Sequence, residues 1–194
     1  MNQGTRNPGN PVMETERLIL RKLTANDVGD VFDYCSDEEV PRYASWYPHQ
    51  TLEESKQFVD HVIRLYEENS VAPWGIEDKE TGKIIGTVGF VYWHPKQARA
   101  ELAYALGRAH WNKGLMSEAA KTVMQYGFEA MKLVRIEAKS LLPNIGSSRV
   151  MEKCGMEFEG ILRKHIFVKG KFEDLKLYSM IHDGNLKLLE GEGE

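Results

Sequence analysis

The sequence predicts one α+β domain of the three-layer α/β type. It should hold a mostly antiparallel, twisted sheet of about seven strands with one parallel pair and flanking helices. Three observations predict this. Strand-like runs follow one another across tight turns at Glu80–Lys83, Pro95–Ala98 and Lys169–Lys171. One such run, Arg99–Leu106, leads into a helical run, Ser117–Met131, and then into another strand, Leu133–Ser140. That order implies parallel pairing through a crossover. The 194 residues are 42% hydrophobic and 28% charged, enough to bury one core and too apolar for a disordered chain.

Residues 1–11 are polar, with Gly and Pro, and read as a flexible N-terminal extension. Residues 12–183 read as the single domain, and 184–194 as a flexible acidic tail. Glu16–Leu23 is the first strand. Thr24, with Asp27 three residues on, starts a short helix whose stripe is Val28, Val31, Phe32 and Cys35. An aromatic loop, Pro41–His49, follows. Thr51 and Glu54 form a capping box for a helix carrying Phe58, Val59, Val62, Ile63 and Tyr66 on one face. Pro73–Asp78 and Ile84–Trp93 are strands, and Gly86 and Gly89 mark places where the second can bend or bulge. Pro143–Gly146 is a loop, Ser147–Cys154 a short helix stopped by Gly155, and Met156–Val168 with Lys171–Met180 a closing hairpin.

The net charge of −4 argues against general nucleic-acid binding. Two distant cysteines, Cys35 and Cys154, make neither a disulfide framework nor a zinc site, so no metal is expected. No apolar run reaches the roughly 18 residues of a membrane span, and the N-terminus lacks the apolar core of a signal peptide. The cytoplasm is the expected location.

The most informative stretch is His110–Ala120, which joins a strand to a helix through a glycine-containing loop. Such a loop directs backbone N–H groups at one spot, where the helix N-terminus adds partial positive charge. The result is an anion site, usually for phosphate. Gly114 lets the backbone approach a ligand, and Ser117 can cap the helix or join the phosphate. An ordinary capped junction would use the same residues.

Four stretches, in order and spacing, carry a family resemblance. They are Thr15–Arg21, Glu101–Leu106, Trp111–Ala119 and Asn144–Gly160. Over about Glu14 to Ile181 the chain resembles the GNAT acetyltransferase superfamily, and within it the ribosomal-protein-type N-acetyltransferases of the RimJ/RimL-like branch. The resemblance implies acetyl-CoA as co-substrate and an amine as acceptor. It implies a splayed parallel pair, with the pantetheine arm lying in the gap against backbone groups of Ala105 and Leu106. Trp111, Asn112, Lys113, Gly114, Leu115, Met116 and Ser117 would cradle the pyrophosphate, and Asn144 would position the pantetheine. An Asx-turn before the helix is the plainer role for Asn144. The superfamily loop pattern is (Gln/Arg)-x-x-Gly-x-(Gly/Ala). Here Trp111 and Met116 occupy the outer positions, and Met116 is expected to crowd the loop.

Direct transfer needs a neutral amine, a donor for the tetrahedral oxyanion and stabilisation of the leaving thiolate. Glu101 is the candidate for the amine proton, because a carboxylate beside an aromatic-lined cleft can have a raised pKa. Pairing with Arg99 or a neighbouring strand is its ordinary alternative, and Glu137 and Glu159 are weaker candidates. The tyrosine that many relatives place seven residues after the asparagine is replaced by Met151, counting from Asn144. Ser147, one turn earlier, resembles the hydroxyl that the branch places near the thiol; it could equally cap its helix. Some branch members carry a further glutamate where this chain has Ile166, beside His165.

Trp46, Tyr47, Trp93 and Tyr104 could line an acceptor cleft, although core packing is the commoner fate of such residues. An α-amine, with pKa near 7.8, is about one-seventh neutral at pH 7, whereas a lysine amine is neutral about once in 2,500. Sparse acid–base machinery therefore suits an N-terminal α-amine, such as that of a ribosomal protein. The alternatives are a small cationic amine (an aminoglycoside or polyamine), which the acidic run Asp37-Glu38-Glu39 would favour, or a non-catalytic acyl-CoA sensor. Monomer and homodimer are both compatible with the sequence.

Overall fold

The computed structural model describes residues 7–184. Its strands are β1 (Met13–Glu14), β2 (Leu18–Arg21), β3 (Trp74–Asp78), β4 (Ile84–His94), β5 (Arg99–Leu106), β6 (Arg135–Leu141), β7 (Glu157–Val168) and β8 (Lys171–Ile181). They form one sheet in the order β1-β2-β3-β4-β5-β6-β8-β7. The seven expected strands all form. The eighth is the two-residue β1, which pairs Met13 with Leu20.

The helices are α1 (Val28–Cys35), α2 (Leu52–Glu67), α3 (Leu115–Glu129) and α4 (Ile145–Lys153). They bury two cores. Ile85, Val88, Leu102, Val123 and Met151 belong to the larger, with α3 and α4. Ile84, Leu23, Val31, Val59 and Val62 make the smaller, with α1 and α2. Adjacent Ile84 and Ile85 enter different cores, as strand alternation requires, so the two helix pairs cover opposite faces. Each fully buried Leu, Ile or Val contributes roughly 1.5–3 kcal/mol of transfer free energy.

Among the described residues only β5 and β6 run parallel, and their pairing ends after Arg99↔Arg135, Ala100↔Ile136 and Glu101↔Glu137. β5 continues to Leu106 and β6 to Leu141 without pairing further. The cause lies one strand away. On β4 the register shifts between Phe90, opposite Leu102, and Tyr92, opposite Glu101, so Val91 is an extra residue. A bulge of this kind bends and twists its strand. It stands where β5 leaves β6, and a gap opens beyond it.

Residues 7–11, read from sequence as part of the extension, are tied to the body. Asn7 Nδ2 donates to Ser70 O, Asn10 Nδ2 to Ala72 O, Trp74 Nε1 to Pro11 O and Tyr126 Oη to Gly9 O. Most of the acidic tail, 185–194, lies outside the described residues.

Gly86 keeps β4 tight against β5 beside the gap. A Cβ there would meet Ala105 O at 2.3 Å, and backbone cannot yield as a side-chain tip can. Gly86→Ala should therefore cost about 1–3 kcal/mol, read as a lower urea midpoint; an unchanged midpoint would contradict this close approach.

Candidate active site

β5 leads through a short 3₁₀ turn, Arg108–His110, into the anion-type loop. Asn112 and Gly114 both have left-handed φ, 60° and 78°, a region that Asn and Gly tolerate best. Gly114 is itself the N-cap, and α3 begins at Leu115. The first amide satisfied within the helix is that of Glu118, donating to Gly114 O at 3.1 Å. The amides of Leu115, Met116 and Ser117 are left as the orphan donors that a helix start presents. Ser117 is therefore not the cap; it lies buried in the first turn. Met116 does not crowd the loop either. It is 5% exposed and belongs to the large core with Leu115.

The loop is clamped from the turn between β1 and β2. Arg17 Nε and Nη2 donate to Glu118 Oε2 at 2.8 and 2.6 Å, and Arg17 Nη1 to Lys113 O at 2.9 Å. The Arg17 amide and the Thr15 hydroxyl both donate to Glu118 Oε1. Burial would raise the Glu118 carboxyl, but these donors and the guanidinium charge hold it below its usual value. Burial, then Lys113, holds the His110 imidazole below its usual range. Trp111 Nε1 donates to Leu106 O at 2.7 Å. One backbone acceptor expected to face the pantetheine is therefore already filled. Ala105 pairs with Thr87 of β4 and packs on the smaller core.

Across the gap, Asn144 caps α4, with Oδ1 accepting from Ser147 N at 3.1 Å. Ser147 is therefore not the cap. Its Oγ lies 3.0 Å and its carbonyl oxygen 3.1 Å from Tyr104 Oη, so the single phenol hydrogen can go to either one. Met151 is 1% exposed in the core.

On the opposite face, a cavity of about 150 Å³ opens between β5, β6, the β7–β8 hairpin and the α1–α2 loop. Tyr43, Ser45, Glu101, Lys139, Ile166 and Val168 are among its walls. The hairpin tip holds the loop over it. Lys169 Nζ donates to Pro41 O at 2.7 Å and lies 5.4 Å from the centre of the Tyr47 ring. Ser140 also lines this cavity, and its buried Oγ has no hydrogen-bond partner.

Glu101 pairs with Lys139 Nζ of the neighbouring strand β6 at 2.7 Å, which is the ordinary alternative read for it from the sequence, and not with Arg99. Lys139 is 3.6 Å from Glu137, which Arg135 approaches to 3.0 Å and Arg99 to 4.0 Å. Arg135 then forks onto Glu159 at 2.6 and 2.7 Å. Arg135 and the Ser179 hydroxyl hold the Glu159 carboxyl down to about 2. Glu137 and Glu159 thus hold strands together. His165 is exposed, while Ile166 faces the cavity.

The four aromatics do not form one cleft. Trp46 packs on the smaller core, Trp93 and Tyr104 on the larger, and Tyr47 is 67% exposed at the loop. The aromatic in the cavity wall is Tyr43. It sits in the aromatic loop that stood out in the sequence, but only the fold shows which of that loop's rings turns inward. Among the described residues, no cluster of three His, Cys, Asp or Glu is placed to hold a metal.

The acetyltransferase (GNAT) domain family matches residues 17–157. The chain is 36% identical over 171 residues to the uncharacterized N-acetyltransferase YoaA of Bacillus subtilis, covering 88% of this chain and 97% of that protein. The crystal structure of a GNAT-family acetyltransferase from Bacillus anthracis superposes with a TM-score of 0.79 at 30% identity, covering 88% and 98% of the two chains. The chain therefore belongs to the GNAT acetyltransferases and is an acetyl-CoA-dependent N-acetyltransferase. Its more distant relatives include ribosomal-protein acetyltransferases and a polyamine acetyltransferase. Ribosomal-protein-serine acetyltransferase of Escherichia coli is 23% identical over 172 residues, 87% of this chain and 95% of that one. Spermidine N(1)-acetyltransferase of Vibrio cholerae is 22% identical over 160 residues, 82% and 90% of the two.

The folded Glu118 carboxyl sits below its unfolded value, so the clamp stabilises fully above the unfolded pKa, near 4.3. That contribution is lost as pH falls through the folded value. Glu118→Gln should lower stability by about 1–2 kcal/mol at pH 7, with the deficit shrinking below about pH 4. Melting curves across pH test it; a deficit that stays constant into acid would contradict the clamp.

Proposed function

We propose that the acceptor is the N-terminal α-amine of a protein or peptide, and that a ribosomal protein is its natural source. The observation that carries this reading is the charge balance of the cavity. Its walls hold one carboxylate, Glu101, already matched by one ammonium, Lys139, among apolar and hydroxyl groups. A polyamine or aminoglycoside carries several positive charges and would want a surplus of acids. The acidic run that favoured such a substrate is largely spent, since Asp37 pairs with Arg108 at 2.8 Å and Glu39 with Arg42 at 3.1 Å. The cavity, of about 150 Å³, opens to solvent and has room for a small side chain with its amine. Both cysteines are free, buried thiols, which suits the reducing cytoplasm.

In this reading the orphan amides of Leu115, Met116 and Ser117 hold the pyrophosphate at the positive end of α3. The gap between β5 and β6 takes the pantetheine, and the thioester meets the amine at its inner end. The ion-paired carboxylate of Glu101 has only acceptor lone pairs. It takes a hydrogen bond from the incoming amine and orients it, while an α-amine needs no strong base. Two features of the sequence favour a non-catalytic sensor, the missing tyrosine and Met116, and burial of Met116 in the core weakens the second.

Thiol release should be at least tenfold faster, as kcat/KM, on an N-terminal peptide than on an α-blocked lysine peptide or spermidine, and Glu101→Ala, which removes the acceptor, should lower kcat on that peptide by about tenfold. A preference for spermidine or for lysine would refute the assignment.

A further inference from the structure

The chain has no acid where many relatives place a tyrosine, because Met151 fills that position and is sealed in the core. The leaving sulfur still needs a hydrogen-bond donor, and the structure supplies a pair of hydroxyls from a different place. Tyr104 lies on β5 beyond the last parallel pair, Glu101↔Glu137, where β5 has parted from β6. Its hydroxyl reaches the first turn of α4 and meets Ser147 at both Oγ, 3.0 Å, and O, 3.1 Å. Ser147 is fixed from the other side by Asn144, which accepts its amide hydrogen. The contact therefore bridges the gap, with one member on each wall.

We propose that Tyr104 is the positioning residue for the leaving group: its hydroxyl fixes that of Ser147 so that the serine hydrogen points at the sulfur. The phenol has one hydrogen and two acceptors in reach, Ser147 Oγ and Ser147 O; in the arrangement where it goes to Oγ, the serine hydrogen is left free for another acceptor. The amine lone pair forms the C–N bond, and the C–S bond breaks with its electron pair going to sulfur. The thiolate is held by the serine hydrogen and takes its proton from water. The proton of the new amide nitrogen leaves to water, so no residue ends the cycle with altered charge.

The division of labour follows from acidity. Burial pushes the Tyr104 phenol well above its usual value, against the smaller opposing effect of Ser147. A tyrosinate would be a stronger base than a thiolate of pKa near 8.5. The phenol therefore keeps its proton and acts as a donor rather than as an acid. Other ionisable groups around it come from each neighbouring element. Cys154 of α4 has its thiol pushed up to about 11 by burial, with Lys121 of α3 acting on it the other way. Lys176 of β8 donates to Ser148 Oγ at 3.2 Å.

The test is single-turnover thiol release on whichever amine of the panel above reacts fastest, so it does not depend on the acceptor class. Tyr104→Phe should slow release on the order of tenfold, leave acetyl-CoA affinity within about twofold, and have no further effect in a Ser147→Ala background. An equal loss in both backgrounds would mean that the tyrosine only packs, and no loss in either would also overturn the proposal. Fluorotyrosine at position 104 keeps the shape with a more acidic phenol. The alkaline fall in rate should then move to lower pH, and an unmoved profile would overturn the proposal even if Tyr104→Phe does not fold.

Discussion

The site depends on a parallel ladder that stops early. Three residue pairs join β5 to β6, and then the strands separate. Strands cannot part inside a sheet without leaving backbone groups that need partners, and in the proposed reading the pantetheine supplies them. Three features hold it open. The β4 bulge at Val91 turns β5 away, Gly86 lets β4 follow it closely, and the Lys139–Glu101 pair ties the two strands at the fork. The charged row of Arg99, Arg135, Glu137 and Glu159 keeps the paired end from opening further.

Around that fork the functions divide by face. The α3/α4 face carries the helix start that suits phosphate, together with the Tyr104–Ser147 hydroxyl pair. The α1/α2 face carries the cavity roofed by the Pro41–His49 loop and the hairpin tip. A reacting carbonyl held in the fork would be open to an amine from one face and to a sulfur donor from the other. The Arg17–Glu118 clamp adds a link that sequence order hides. Two stretches of the family resemblance, about a hundred positions apart, bond directly to each other.

Most of the fold was legible because its cues are local. The Thr24/Asp27 cap forms as read, Thr51 accepts from Glu54 N while the Glu54 carboxylate takes the Gln50 amide instead of closing the box on Thr51, and β5 runs over the residues read as a strand, Arg99–Leu106. The start of α3 was misplaced by two residues because Ser117 looks like a cap. Gly114, in the left-handed region, ends the loop first and takes that role. Side-chain fates were less legible, since they depend on long-range packing. Met116 turns into the core, and the four chosen aromatics scatter over two cores and the surface. Lys139 as partner of Glu101, and Tyr43 as cavity wall, could be found only once β5, β6 and the loop were side by side. The sequence does name the strand and the loop in which each lies.

Hydrogen exchange with and without acetyl-CoA tests the central claim most directly. If the fork and the α3 start form the seat, acetyl-CoA will slow exchange in peptides covering Ala103–Leu106 and Gly114–Ser117 and leave β1–β3 unchanged. Protection confined to β1–β3 or to the β7–β8 hairpin, with none at the fork, would contradict the account.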